Sequence, residues 1–197
     1  MEASAQSPEQ LAAQKRDLRR RYRDERALIN PSNPTDLASY SWSHILRADE
    51  IASQPTIASY LSYGDEPTTI DLNQAILESG KTLLLPRMLA DKDLEWVAWN
   101  GDSSQLKQLS KNLWEPIGPS VADSEIGAVI VPALHINRTG YRLGQGGGSY
   151  DRALARITAW KVGLIYAGEL TSEALPVEPH DQRLNAAATP TLIVRFK

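Results

Sequence analysis

One segment of this 197-residue chain carries most of its structural information: Arg138-Thr139-Gly140-Tyr141-Arg142-Leu143-Gly144-Gln145-Gly146-Gly147-Gly148-Ser149-Tyr150-Asp151-Arg152. It holds five glycines, three arginines and one aspartate. The apolar run before it, residues 128–134, predicts a buried strand, and residues 150–157 predict a helix. The segment therefore predicts a strand, a glycine-rich loop and a helix in succession.

Such a loop has the chemistry of an anion-binding site. Glycine permits backbone angles that turn successive N–H groups inward, and a helix start adds unpaired N–H groups and the positive end of a dipole. Arg138 and Arg142 add full positive charges, and Asp151 in the first helical turn can hold a magnesium ion against the same anion. The pattern predicts phosphate binding.

The loop differs from two familiar phosphate-binding motifs. No lysine follows the glycines, as a Walker A motif requires, and residues 144–149 end in serine where the dinucleotide fingerprint has glycine or alanine. The alternative to phosphate binding is a flexible tight turn in which Asp151 only complements the helix dipole.

Composition indicates a compact soluble protein. Hydrophobic residues make up 42% and charged residues 23% of the chain, and the net charge of −3 implies no broad basic surface for nucleic acid. Zero cysteines exclude disulfides, thiolate catalysis and cysteine–metal sites. No apolar run is long enough to span a bilayer, and residues 1–7 lack the features of a secretory signal. We expect a cytoplasmic monomer without nucleic-acid or membrane partners.

Short apolar runs alternate with helical segments along the chain. This alternation predicts an α/β fold, with one domain over residues 1–197 and a mostly parallel sheet covered on both faces. We predict helices at 8 to about 29, 36–52, 69–79 and 150–157. We predict strands at 56–63, 81–85, 95–99, 128–136, 162–166 and 191–196. Residues 1–6, 30–35 and 101–123 are predicted surface loops.

The first predicted helix is basic and amphipathic. At about 100° per residue, an apolar stripe contains Leu11, Leu18, Tyr22 and Ile29. Its border carries Lys15, Arg19 and Arg26, which can reach a neighbouring cleft. The more solvent-directed residues are Arg16, Arg20 and Arg23. The alternative is a solvated amphipathic helix without a ligand.

Glu66 follows the first predicted strand. Ligands of open parallel sheets bind beyond the carboxyl ends of the strands, and a carboxylate there can accept paired hydrogen bonds from an aminopyrimidine-type ring edge. Leu61 would supply an apolar wall, and Arg87 is a further candidate for the acidic tail of such a ligand. The alternative is an acidic turn that favours the N-terminus of the next helix.

The glycine segment carries a resemblance. Gly140-Tyr141-Arg142-Leu143-Gly144-x-Gly146-Gly147-Gly148-x-Tyr150-Asp151-Arg152 is similar to the signature of the 5-formyltetrahydrofolate cyclo-ligase family, also called methenyltetrahydrofolate synthetases. Other segments resemble the family in the same order: Lys15-Arg16-x-Leu18-Arg19, Leu61 to Glu66 closed by Thr69, Lys81 to Arg87, Glu115-Pro116, Leu175-Pro176 and His180-Asp181.

The resemblance implies a Rossmann-like three-layer αβα fold and ATP-dependent cyclisation of 5-formyltetrahydrofolate to 5,10-methenyltetrahydrofolate, through a phosphorylated formyl group. ATP and a reduced folate would be the partners and Mg²⁺ the cofactor. It implies ATP binding by Lys15, Arg16, Arg19, Arg142, Leu143, Gly144, Gln145, Gly146, Gly147, Gly148, Ser149 and Tyr150. Lys15 and Arg142 would be catalytic, Leu61 and Glu66 would bind substrate, and Asp151 and Asp181 would bind the metal.

Three alternatives stay open at this point. A paralogue can share the phosphate site and act on another small substrate. A non-catalytic nucleotide-binding module would bind ATP without turnover. A sugar-phosphate isomerase-like enzyme would use the loop for its substrate's phosphate and need no ATP, which is an analogy at the level of the fold.

Overall fold

The computed structural model describes residues 7–29 and 42–197. The α-helices of these residues are α1 Pro8–Ile29, α2 Ser43–Leu46, α3 Asp49–Ala52, α4 Ile70–Glu78 and α5 Ser149–Arg156. The strands are β1 Thr56–Ala58, β2 Thr82–Met88, β3 Leu94–Trp99, β4 Leu106–Ser110, β5 Leu113–Pro116, β6 Ser120–Val121, β7 Ala128–Pro132, β8 His135–Asn137, β9 Arg142–Leu143, β10 Trp160–Leu164, β11 Leu170–Thr171, β12 Ala186–Ala188 and β13 Ile193–Arg195.

The main sheet has eight strands in the order β13-β12-β10-β7-β1-β2-β3-β6. The central strands β12, β10, β7, β1 and β2 run parallel to one another, with Ile57 of β1 in register with both Leu83 and Ala128. The outer strands are added by antiparallel pairing: β13 to β12, β3 to β2, and β6 to β3. The predicted mostly parallel sheet is therefore confirmed.

Both faces of the sheet are buried. Leu83 and Leu85 of β2 belong to one apolar cluster, which includes Ile76 of α4, whereas Leu84 belongs to a second, which includes Leu154 of α5. This alternation follows from the two-residue period of a strand. Helices on both faces explain why the central strands have continuous apolar sequences.

Helix α1 begins at a reciprocal capping pair formed by Ser7 and Gln10. The Ser7 N–H donates to Gln10 Oε1 at 2.8 Å, and the Gln10 N–H donates to Ser7 Oγ at 3.2 Å. Further along, Tyr22 is buried and its ring stacks on His135 with centroids 3.5 Å apart. Among the described helices, none is both long and apolar enough to cross a bilayer.

The prediction of one helix over 36–52 is wrong where it can be compared. Residues 42–52 form the short helices α2 and α3, which are separated at Ala48 in an extended conformation. Ile45 and Ile51 are both fully buried. Their six-residue spacing would place them about 120° apart on one helix, so a turn between them lets both enter the core. The rest of that helix, and the predicted loops 1–6 and 30–35, lie outside the described residues.

Several strand limits also differ from the prediction. β1 ends at Ala58, because the Tyr60 carbonyl accepts hydrogen bonds from Thr69 Oγ1 at 2.6 Å and Asn73 Nδ2 at 2.9 Å instead of pairing in the sheet. The predicted strand 128–136 is divided into β7 and β8. The predicted loop 101–123 contains the hairpin β4–β5 and strand β6, and β12 was not predicted.

Candidate functional site

A cavity of about 550 Å³ opens at the carboxyl ends of β1, β2 and β7, between α1, the glycine loop and the hairpin β4–β5. Its volume suits a small-molecule ligand. Every residue to which the family resemblance gives a site role lines it: Lys15, Arg16, Arg19, Leu61, Glu66, Arg142, Leu143, Gly144, Gln145, Gly146, Gly147, Gly148, Ser149, Tyr150, Asp151 and Asp181.

The glycine loop depends on backbone angles that side chains disfavour. Gly146 has φ +107° and Gly148 has φ +68°, and Gly148 is the residue that precedes α5. The loop also rests against α1, because Arg19 Nε donates to the Gly144 carbonyl at 2.9 Å and the Arg23 guanidinium donates to Gln145 Oε1 at 2.8 Å. Arg23 is exposed, as predicted, and this contact holds its guanidinium against the loop.

Charged side chains of both signs meet at this end of the cavity. The buried Lys15 ammonium lies 2.7 Å from Glu178 Oε2 and 2.6 Å from Asp181 Oδ2. Arg142 Nη2 lies 3.0 Å from Asp151 Oδ1, which also accepts the Gln182 N–H at 3.0 Å. Glu178 was not predicted from the sequence; it lies 163 residues from Lys15, and only the fold joins them.

The carboxylates form a candidate metal site. Ligand atoms of Glu178, His180 and Asp181 all lie within 4.8 Å of one another, and Asp151 lines the same cavity. Carboxylate oxygens beside an open cavity suit Mg²⁺, which binds one or two carboxylates and retains water or phosphate oxygens. Lys15 and Arg142 balance the negative charge of the two aspartates.

The other end of the cavity is apolar and aromatic, with one buried carboxyl group. Glu66 is only 8% exposed, and its Oε2 accepts the Tyr63 N–H at 3.2 Å. Burial raises the pKa of Glu66 to about 7, although the Tyr63 hydrogen bond and the positive charge of Arg26 oppose the shift. This carboxyl group can therefore change its charge near neutral pH.

Aromatic side chains surround this end. Tyr60, Tyr63 and Tyr150 line the cavity together with Trp114 of the hairpin β4–β5. The neighbouring Glu115 accepts the Met88 N–H at 2.9 Å and so fastens the hairpin to β2. The sequence prediction missed Trp114; its signal was its place beside the Glu115-Pro116 pair.

Three arginines proposed as ligand contacts lie elsewhere. Arg87 is not part of the lining, because its guanidinium donates to Glu95 at 2.7 Å and to the Gly118 carbonyl at 2.9 Å. Arg138 is exposed and also outside the lining. Arg26, on the same border of α1 as Lys15, is buried in an ion pair with Glu169.

The fold and the cavity define an α/β enzyme with a glycine-rich loop and clustered charges at the carboxyl ends of its parallel strands. Comparison with known proteins identifies it further. Residues 11–190 match the sequence model of the 5-formyltetrahydrofolate cyclo-ligase family. The chain therefore belongs to the 5-formyltetrahydrofolate cyclo-ligase family.

Individual relatives agree with this assignment. The chain is 35% identical over 145 residues to a 5-formyltetrahydrofolate cyclo-ligase of Mycolicibacterium smegmatis, covering 68% of this chain and 73% of that protein. It is 26% identical over 179 residues to the Escherichia coli protein of the same name, covering 87% and 97%. The NMR structure of Aquifex aeolicus 5,10-methenyltetrahydrofolate synthetase superposes with a TM-score of 0.78 at 26% identity, covering 93% of each chain.

Proposed function

We propose that this protein catalyses the ATP-dependent cyclisation of 5-formyltetrahydrofolate to 5,10-methenyltetrahydrofolate, with release of ADP and phosphate. The observation that carries the proposal is the division of one cavity into two chemically different ends. A cationic glycine-rich end suits a triphosphate, and an aromatic end with a buried carboxyl group suits a pterin ring. Family membership supports the same substrates.

The triphosphate would lie along the glycine loop. N–H groups of the loop and of the first turn of α5 would donate to phosphate oxygens. Lys15, Arg19 and Arg142 line this end and supply positive charge. Arg16 also lines it, but its side chain is exposed, so we place it at the outer edge.

The folate would lie with its ring at the aromatic end. Tyr60 and Trp114 offer ring faces for stacking, and Leu61 adds apolar surface. The ionised Glu66 would accept two hydrogen bonds from the amino group and ring N–H of the pterin. A charge-assisted pair of this kind in a buried site fixes the orientation of the ring.

The chemistry needs no nucleophile from the protein. The formyl oxygen attacks the γ-phosphorus of ATP, the bond to the bridging oxygen breaks, and ADP leaves. N10 then attacks the activated formyl carbon and loses its proton, and the C–O bond breaks with release of phosphate. Lys15 and Arg142 stabilise the charge on the transferring phosphoryl group, and the cavity holds N10 near the formyl carbon.

Magnesium would bind at Asp151 and Asp181, with Glu178 beside them, and would neutralise phosphate charge when bound. Lys15 also contacts Asp181, at 2.6 Å. When a nucleotide binds, the Lys15 ammonium group would contact phosphate oxygens and would keep the Asp181 carboxylate as a neighbour.

The proposal is tested by following methenyltetrahydrofolate formation by absorbance. We expect product from 5-formyltetrahydrofolate only when ATP and magnesium are both present, and none with a non-hydrolysable ATP analogue. Calorimetry on the same preparation measures ATP binding. Binding of ATP without product would identify a non-catalytic nucleotide-binding module, and product without ATP would contradict the phosphorylation step.

A further inference from the structure

The ion pair between Arg26 and Glu169 is fully enclosed by the protein. The two side chains are 2% and 0% exposed, and the two charged groups meet in a bidentate contact at 2.6 and 2.7 Å. Burying two charges requires their desolvation, and an apolar pair of similar volume often gives equal or greater stability. The pair therefore calls for an explanation beyond stability.

On one side, the pair fixes helix α1 against the wall of the cavity. Arg26 Nη2 donates to the carbonyl oxygens of Ala133 at 2.6 Å and Leu134 at 3.0 Å, and both of those residues line the cavity. Lys15 lies eleven residues before Arg26, about three helical turns, so both project from nearly the same side of α1. Arg19 lies between them on that side.

On the other side, the pair reaches the turn that carries Glu66. Glu169 Oε2 accepts the Tyr166 N–H at 2.7 Å, and the Arg26 guanidinium lies 5.6 Å from the centre of the Tyr166 ring. The Tyr166 hydroxyl then donates to the Glu66 carbonyl oxygen at 3.2 Å. One buried chain of contacts thus joins the cationic face of α1 to the backbone of Glu66, whose carboxyl group lies at the aromatic end.

We propose that Arg26, Glu169 and Tyr166 are positioning residues. They fix α1, at the cationic end of the cavity, relative to the Glu66 turn at the aromatic end, so that occupation of one end favours binding at the other. The inference rests on the proposed function, because the ligands of the two ends are taken to be ATP and the folate. Coupling between two binding sites is reciprocal, so each ligand must raise the affinity of the other by the same factor.

Two variants separate the contacts that the Arg26–Glu169 pair makes toward α1 from those that it makes toward the Glu66 turn. Tyr166→Phe removes the hydroxyl that donates to the Glu66 carbonyl oxygen, and we expect a higher KM for the folate with little change in the Kd for ATP measured without folate. Glu169→Gln keeps the shape but removes the charge that holds Arg26, and we expect both constants to rise, by roughly 2- to 30-fold. The matched control is Arg195→Gln, which breaks the bidentate Arg195–Glu50 pair outside the cavity lining and should change neither.

A double-ligand measurement tests the coupling itself. In the wild type, saturating non-hydrolysable ATP analogue should tighten binding of 5-formyltetrahydrofolate, and this gain should shrink in Glu169→Gln and in Tyr166→Phe. An equal gain in the wild type and both variants would overturn the proposal. The proposal would also be overturned if Glu169→Gln lowered the melting temperature but left the affinities for both ligands unchanged. If that variant does not fold, Tyr166→Phe decides the matter by itself.

Hydrogen exchange provides a readout that does not depend on turnover. In ligand-free Glu169→Gln we expect several-fold faster exchange both in α1 and at the Tyr63 and Glu66 amides, with α5 unchanged. Uniform acceleration over the whole chain, or none at the Glu66 turn, would contradict the network. Failure of the wild type to form methenyltetrahydrofolate would instead refute the proposed function and leave the exchange result intact.

Discussion

At the residue scale, Glu66 has the clearest pH signature. Because burial raises the pKa of this carboxyl group to about 7, its ionised fraction falls as the pH drops through neutrality. We therefore expect the KM for the folate to rise between about pH 8 and pH 6 in the wild type. Glu66→Gln should show a KM higher by roughly 10- to 100-fold, the effect of losing a charge-assisted hydrogen bond, and little pH dependence.

Steady-state kinetics across pH, with ATP saturating, measures this effect. Asp65→Asn is the matched control, since Asp65 is the exposed neighbour outside the cavity lining. A folate KM in Glu66→Gln that follows the wild-type pH curve would remove Glu66 from the ring-binding role. An equal loss of ATP affinity would place it on the nucleotide side.

Arg142 is expected to contribute to ATP binding. Its side chain is almost fully buried and lies 3.0 Å from Asp151, at the cationic end of the cavity. Arg142→Ala should weaken ATP binding by roughly 1.5–3 kcal/mol, the range for hydrogen bonds to charged groups. Calorimetry measures the affinity, and Arg138→Ala is the control in the same segment. Unchanged affinity in a folded Arg142→Ala protein would exclude this residue.

The metal assignment predicts a specific change in magnesium dependence. Asp151→Asn and Asp181→Asn keep the side-chain shape and remove a charge, so each should raise the magnesium concentration needed for half-maximal turnover. Glu173→Gln, an exposed partner of Arg21, should not. If Asp151 only complements the helix dipole, its loss should cost about 0.3–1 kcal/mol of stability and leave the magnesium titration unchanged.

The sequence predicted the site residues unevenly, for physical reasons. The glycines, Arg142 and Asp151 lie in one continuous segment, so their chemistry is visible in the sequence. Glu178 becomes recognisable only beside Lys15, and that contact depends on the whole fold. For Arg26 the sequence predicted too much. Its position on the helix matches that of Lys15 and so predicted a ligand contact, but the side chain forms a buried ion pair with Glu169.

At the element scale, the glycine loop makes a prediction about stability. The backbone of Gly146 has a φ of +107°, which side chains disfavour, and an added Cβ would lie 3.3 Å from Arg19 Cζ. An added Cβ at Gly144 would meet nothing within 4 Å. Gly146→Ala should therefore lower the free energy of unfolding by about 1–2 kcal/mol. Gly144→Ala should change it by less than about 0.5 kcal/mol. Denaturant unfolding compares them, and equal losses would contradict the loop geometry.

Elements with local signals were predicted best. The start of α1 depends on the reciprocal bonds of Ser7 and Gln10, which are visible in four residues of sequence. Strand β12 consists of three alanines, a residue with low strand propensity, and it forms because β10 and β13 pair with it on either side. Such a strand depends on tertiary context, so the local sequence does not reveal it.

At the scale of the whole molecule, the strand order explains the position of the cavity. The chain passes from β1 to its neighbour β2 on one side and later to β7 on the other. This reversal opens a crevice at the carboxyl ends of the strands, where ligands of open α/β sheets bind. The alternation of apolar and helical segments predicted a mostly parallel sheet. The order of its strands and the antiparallel pairing at its edges were not predicted, because they depend on contacts between residues far apart in the sequence.

In the proposed reaction, ATP phosphorylates the formyl oxygen of the folate. The most direct measurement uses 5-formyltetrahydrofolate labelled with ¹⁸O in the formyl group, followed by mass analysis of the phosphate released. Because that oxygen would be bonded to phosphorus before the ring closes, each methenyltetrahydrofolate formed should release one phosphate carrying the label. Unlabelled phosphate, with the label recovered in water or elsewhere, would contradict the account.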